Sequence, residues 1–104
     1  MLLLNIDYSP GKQIEALGIA KGSVVQSKNF GKDFMAGMKT LVGGEITGYT
    51  DMLNEARQIA TKRMVDEAEA LGADAVVNIR FASASIMQSA AEITAYGTAV
   101  KYKE

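Results

Sequence analysis

The chain has 104 residues, with 11 basic and 12 acidic side chains and neither cysteine nor histidine. That length fits one domain with a single small core, for which association between copies is a natural source of further burial. A net charge of -1 provides no global field for nucleic acid or an anionic membrane, and the absence of cysteine excludes a disulfide framework or a thiolate site.

Leu2-Leu3-Leu4 is followed at once by Asn5, Asp7 and Pro10, too short an apolar run for a signal peptide or a membrane span. The expectation is a cytoplasmic protein. Ile14 to Gln26 is rich in Ile, Leu and Val but broken by Gly18 and Gly22, which predicts one strand with a bend or bulge, or a hairpin turning near Lys21-Gly22. Asn29 is placed as an N-cap, and Phe30, Phe34, Met38 and Leu41 recur at helical spacing until Gly43-Gly44 stops them. A longer helix is predicted from about Tyr49 to Leu71. Its stripe is Leu53, Ala56, Ala60, Met64, Ala68 and Leu71, with Ile59 beside it, and Gly72 stands at the C′ position.

Ala75, Val77, Ile79 and Phe81 then alternate with Val76, Asn78, Arg80 and Ala82, and the strand continues to about Met87. After a turn near Gln88-Ser89, a last strand covers roughly Ala91 to Tyr102. One of its faces carries Thr94, Tyr96, Thr98, Val100 and Tyr102; the other carries Ile93, Ala95, Gly97 and Ala99 and is small enough for a helix to approach closely. The order β-α-α-β-β predicts a single α+β domain over residues 1–104, an antiparallel sheet with two helices packed on one face.

Catalytic chemistry finds little support in this sequence. Asp7, Asp33, Asp51, Glu45, Glu55 and Glu92 allow many carboxylate pairings, but acid–base work needs matched geometry. The serines and threonines have no histidine to activate them and no nucleophile-elbow pattern around them. Lysines such as Lys39 and Lys62 read as surface charges. Gly43-Gly44-Glu45 precedes a helix, where backbone N–H groups can meet an anion, yet no Lys-Ser/Thr pair follows to make a P-loop. The expectation is a non-enzyme without a cofactor.

Met35-Ala36-Gly37, Gly43-Gly44-Glu45, Tyr49, Glu55-Ala56-Arg57, Ala60, Met64, Ala68, the run Leu71-Gly72-Ala73-Asp74-Ala75-Val76-Val77 and the late Gly97-Thr98-Ala99-Val100 occur in order across most of the chain. In this combination the chain resembles the YbjQ-like family, which is labelled as heavy-metal-binding. The resemblance implies a small dodecin-like α+β subunit assembled as a ring-shaped homopentamer, with no established biochemical activity. The residues weigh against the label. Soft and borderline metals prefer thiolate and imidazole, and the chain offers only six methionines and its carboxylates. Met35, Met38, Met52 and Met64 read as adaptable core filler, and Asp66, Glu67 and Glu69 read as a solvated face.

Two classes of function remain. One is a self-assembling structural or binding protein whose site lies at subunit boundaries; the other is a ligand or metal-ion binding module. Glu45, Tyr49 and Arg57 are the candidate residues for a ligand site or subunit boundary, because Tyr49, Leu53 and Arg57 project along nearly one side of a helix. The Arg57 guanidinium is suited to a bidentate grip on a carboxylate or a bound anion.

Overall fold

The computed structural model describes residues 1–27, 47–87 and 90–103, and side chains from Thr50 onward within the helix. The elements are β1 (Leu2–Leu3), β2 (Gln13–Ser27), α1 (Thr47–Ala70), β3 (Ala75–Met87) and β4 (Ala90–Lys103). They form a four-stranded sheet in the order β1-β3-β4-β2 with α1 on one face. The sheet is mixed, which corrects the antiparallel expectation: β1 runs parallel to β3, pairing Leu2 with Ala75 and Leu3 with Val76. A strand of two residues is too short to show alternation, so β1 left no periodic signal. The predicted first helix, Phe30 to Leu41 with its Asn29 cap and Gly43-Gly44 stop, lies outside the described residues, as does the turn at Gln88-Ser89.

The segment from Ile14 to Gln26 is one strand rather than a hairpin. Its interruption at Gly18 (φ 145°) is a register shift against β4 between Ala16 and Gly18. Gly22 has a different cause. A Cβ built there would collide with the backbone of α1 at Ala60 O and Met64 N, so the helix crosses β2 at a point where only glycine fits.

Along α1 the buried residues are Met52, Ala56, Ala60, Met64 and Ala68, a strict four-residue repeat. Each step of four advances about 40° around the axis, so the contact line winds slowly and follows the twisted sheet. Leu53 and Ile59 pack at its margins, whereas Leu71, expected in the stripe, falls past the helix end and is exposed. The end itself is a Schellman motif. The N–H of Ala73 donates to Ala68 O (3.0 Å), the N–H of Gly72 donates to Glu69 O (2.9 Å), and Gly72 has φ 82°. Asp74 then fastens β3 to β4: its N–H donates to Val100 O (2.8 Å) and its Oδ2 accepts from the Tyr102 N–H (2.8 Å).

On β4 the small face does meet α1. Ile93, Ala95 and Ala99 share one buried cluster with Ala20 and Val24 of β2, the helix alanines, Met64, and Val76 of β3. The opposite face carries a second, smaller cluster of Ala75, Val77 and Val100, packed by Leu4, Ile14 and Tyr102. The N-terminal segment closes it. Ser9 is buried with its hydroxyl 3.2 Å from the Tyr102 hydroxyl, and Lys12 Nζ lies 5.4 Å from the Tyr102 ring centroid. Met64, Val76 and Val100 are the largest fully buried side chains, each contributing about 1.5–3 kcal/mol relative to exposure. Among the described residues most of the remaining core is alanine, so packing there relies on close backbone approach rather than on bulk.

The expected alternation of β3 holds only as far as Val77. Asn78 adopts φ 58°, and Asn78 and Ile79 together face the single residue Gly97, a bulge between the Val77–Thr98 and Arg80–Tyr96 pairs. Asparagine tolerates the left-handed region better than other non-glycine residues. The bulge turns Ile79 to the α1 side with Val76, so the predicted Ala75/Val77/Ile79/Phe81 face is split between the two sides of the sheet.

Candidate functional site

The bulge and the N-terminal segment build an open groove at one side of the sheet. Leu4 donates its N–H to Val76 O (2.9 Å) and accepts from the Ile79 N–H (3.0 Å); Ile6 accepts from the Asn78 N–H (2.7 Å). These bonds extend the pairing of β1 past its two strand residues and end it at the bulge. Beyond that point Arg80 Nη1 donates to Asn5 O (3.0 Å) and Ile79 O (3.1 Å), pinning the departing chain. The resulting groove, of about 800 Å³, is lined by half-buried Ile79, by the more exposed Leu3, Ile6 and Phe81, and by Thr61 of α1. The Thr61 hydroxyl is occupied, donating to Arg57 O at 2.7 Å.

Chemically, the groove presents apolar surface with one guanidinium at its margin. Among the described residues that line it there is no carboxylate. The described lining is suited to covering apolar side chains. Among the described residues, no group of three or more His, Cys, Asp or Glu is placed to hold a metal ion. Met52 and Met64 are buried in the core, so their thioethers face packing partners rather than solvent.

The three residues singled out from the sequence are not assembled in the described structure. Glu45 lies outside the described residues, and Tyr49 falls in the first turn of α1 with its side chain undescribed. Arg57 is exposed on α1, with Nη1 donating to Asn54 Oδ1 at 3.0 Å. Its neighbour Arg63, not singled out from the sequence, makes the longer reach: its Nη1 donates to Ser23 O of β2 at 2.6 Å. The groove was missed as well. Its signal is present in Leu2-Leu3-Leu4 and in Phe81, but the first is too short to read as a strand and the second reads as one more position of the Ala75, Val77, Ile79 face, whereas it is exposed.

These features belong to a small α+β protein with one helix laid across a mixed sheet, and comparison with known proteins places it in a family. The YbjQ family model, described as "Putative heavy-metal-binding", matches residues 1–103, and the chain belongs to that family. A UPF0145 protein of Clostridium novyi is 62% identical over 101 residues, covering 97% of this chain and 98% of that one. A UPF0145 protein of Vibrio parahaemolyticus is 54% identical and covers both chains fully. Among solved structures, a protein of unknown function of the DUF74 family from Pediococcus pentosaceus superposes with a TM-score of 0.70 over 99% of this chain and 98% of that one. At 9% identity that likeness speaks to the fold alone.

Proposed function

We propose that this protein acts as a self-assembled, non-catalytic homo-oligomer, a homopentameric ring of dodecin-like subunits in the cytoplasm, with a structural or binding role completed at subunit boundaries. One observation carries the reading: large apolar side chains stand exposed along one edge of a small domain, Leu2, Leu3, Ile6, Phe81, Ile86 and Met87 among them. Monomeric proteins rarely leave contiguous apolar patches above a few hundred Å² in water. The alanine-rich packing among the described residues adds a motive, because association supplies further burial to a small domain. Light scattering and native mass spectrometry test the proposal together. The expected result is a single assembled species at micromolar concentration, and a single-chain mass in ordinary salt would overturn it.

The family description favours a second reading, a metal-ion or ligand binding module. The donor set does not fit a soft heavy metal, since the chain has no cysteine or histidine and the described carboxylates do not cluster. Titration calorimetry of chelator-treated protein with zinc, copper or cadmium is expected to give weak binding at most. Sub-micromolar affinity with a fixed stoichiometry per subunit would establish the second reading in place of the first.

A further inference from the structure

The sheet has a second face, turned away from α1, and strand pairing sets what stands on it. Between β2 and β4, Ala20 pairs with Gly97, Gly22 with Ala95 and Val24 with Ile93, and all six are buried on the α1 side. The alternate pairs therefore point the other way: Lys21 with Tyr96, Ser23 with Thr94 and Val25 with Glu92. Past the Asn78 bulge, Arg80 joins the same face as the second partner of Tyr96. One aromatic ring thus stands between two cations in a row across three strands, with the Lys21 and Arg80 backbones about 10 Å apart, two strand spacings. Both cations are exposed, and Tyr96 is 40% exposed. In the next row the Ser23 and Thr94 hydroxyls lie 2.8 Å apart.

We propose that this row is a binding site for a nucleoside monophosphate. The base stacks on Tyr96, the phosphate is held by Lys21 and the Ser23–Thr94 hydroxyl pair, and Arg80 adds its charge from the other side of the ring. Charge complementarity carries the choice. Among the described residues neither cation has a carboxylate partner: Lys21 makes no ion pair, and Arg80 donates through Nη1 to the Asn5 and Ile79 carbonyls. A guanidinium has five N–H donors, so others remain for a ligand. Glu92, the carboxylate that strand pairing puts on this face, lies two pairs along from Tyr96. Two uncompensated cations match the roughly 1.5 to 2 negative charges of one phosphate group. The exposed phenol ring supplies a stacking surface that a bare anion does not need. The chain's net charge of -1 gives no field for a long polyanion, which favours one nucleotide over a strand of them. The site stands apart from the assembly reading, because every residue of the row comes from one subunit.

Calorimetric titration of the intact protein with adenosine monophosphate tests the site, with circular dichroism and native mass read on every variant. Wild type is expected to bind one nucleotide per chain, and to bind adenosine and inorganic phosphate each more weakly. Tyr96→Leu removes the ring and Lys21→Gln removes the charge; each is expected to weaken binding by about tenfold with circular dichroism and mass unchanged. Lys62→Gln, on α1, is expected to bind as wild type does. Should Tyr96→Leu fail to fold, Lys21→Gln and the adenosine titration decide the matter. A wild type that takes up no nucleotide at about 1 mM overturns the proposal, as do variants that bind as tightly as wild type. Inorganic phosphate binding as tightly as the nucleotide reduces the row to an anion contact and overturns the stacking role. An oligonucleotide that binds more tightly in proportion to its length assigns the face to a polyanion and overturns the single nucleotide. The assembled mass is read in the same samples, so the assembly reading stands or falls separately.

Discussion

The two outer edges of the sheet show how differently one domain can treat the same liability. Among the described residues β2 forms an outer edge of 15 residues, and it is guarded: Glu15 and Lys21 project from it, the shift at Gly18 breaks its line, α1 crosses it at Gly22, and Arg63 caps the Ser23 carbonyl. β3 is covered by β1 and the bonds from Leu4 and Ile6 for its first half and, among the described residues, has no strand beside its second, where neutral and apolar residues continue to Met87. A guarded edge beside an unguarded one within a single sheet teaches that exposure here is selective. Charged side chains stand on the β2 edge, whereas the later part of β3 carries none after Arg80 and is interrupted by a bulge at Ile86.

The comparison can be broken most severely at Gly22, where the helix seals the guarded edge. Gly22→Val would drive its side chain into the backbone of α1 and against Arg63 Cβ, 2.6 Å from the ideal Cβ position. Backbone cannot swing aside as a side chain can, so the loss is expected to reach about 3 kcal/mol in urea unfolding. A midpoint within experimental error of wild type would show that α1 does not touch β2 there.

Gly97 provides the matching test on the β3 side. Its ideal Cβ lies 2.8 Å from Val76 Cγ1, 2.9 Å from Val77 O and 3.1 Å from Ile79 Cγ1. Gly97→Val is therefore expected to cost about 1–3 kcal/mol through the bulge rather than through the helix. An unchanged denaturation midpoint would mean that the bulge opens freely. Asn78→Gly, which relieves the left-handed backbone without adding volume, is expected to shift the same midpoint by less than about 1 kcal/mol.

Removing the cap on β2 sharpens the contrast at smaller cost. Arg63→Met keeps much of the apolar stem and deletes the hydrogen bond to Ser23 O, with an expected loss of about 1 kcal/mol. Its more telling effect is on association, since an uncapped carbonyl makes β2 an acceptor edge. Sedimentation is expected to show larger species than wild type, and an unaltered distribution would deny Arg63 a guarding role.

Arg57 gives the smallest expected change in subunit stability, below about 0.5 kcal/mol for Arg57→Lys, because its one described side-chain partner is Asn54 on the same exposed face. Assembly carries the information. If a neighbouring subunit's acid holds the guanidinium, Arg57→Lys weakens assembly in light scattering; if it grips a ligand, the assembly persists and loses its bound species in native mass spectrometry. A variant matching wild type in both would leave Arg57 a surface charge.

The sequence by itself determined the long helix within two residues at either end, the glycine stop at Gly72, the extents of β3 and β4, and which face of β4 meets the helix. Each of these is written in a local period or a local backbone requirement, a repeat of about 3.6 or 2 residues or a positive φ at a helix end. Tertiary structure alone decided the rest. β1 became a strand because β3 and its bulge offered hydrogen-bond partners to Leu3, Leu4 and Ile6, which a two-residue apolar run cannot announce. Asn78 reversed the faces of β3, and one inserted residue is enough to invert every later side chain. Gly22 looked like a bend until the helix was laid across it. Which edge is guarded depends on Arg63 reaching Ser23 across 40 positions of chain, and such a pairing exists only once backbone that is distant in sequence has been brought together in space.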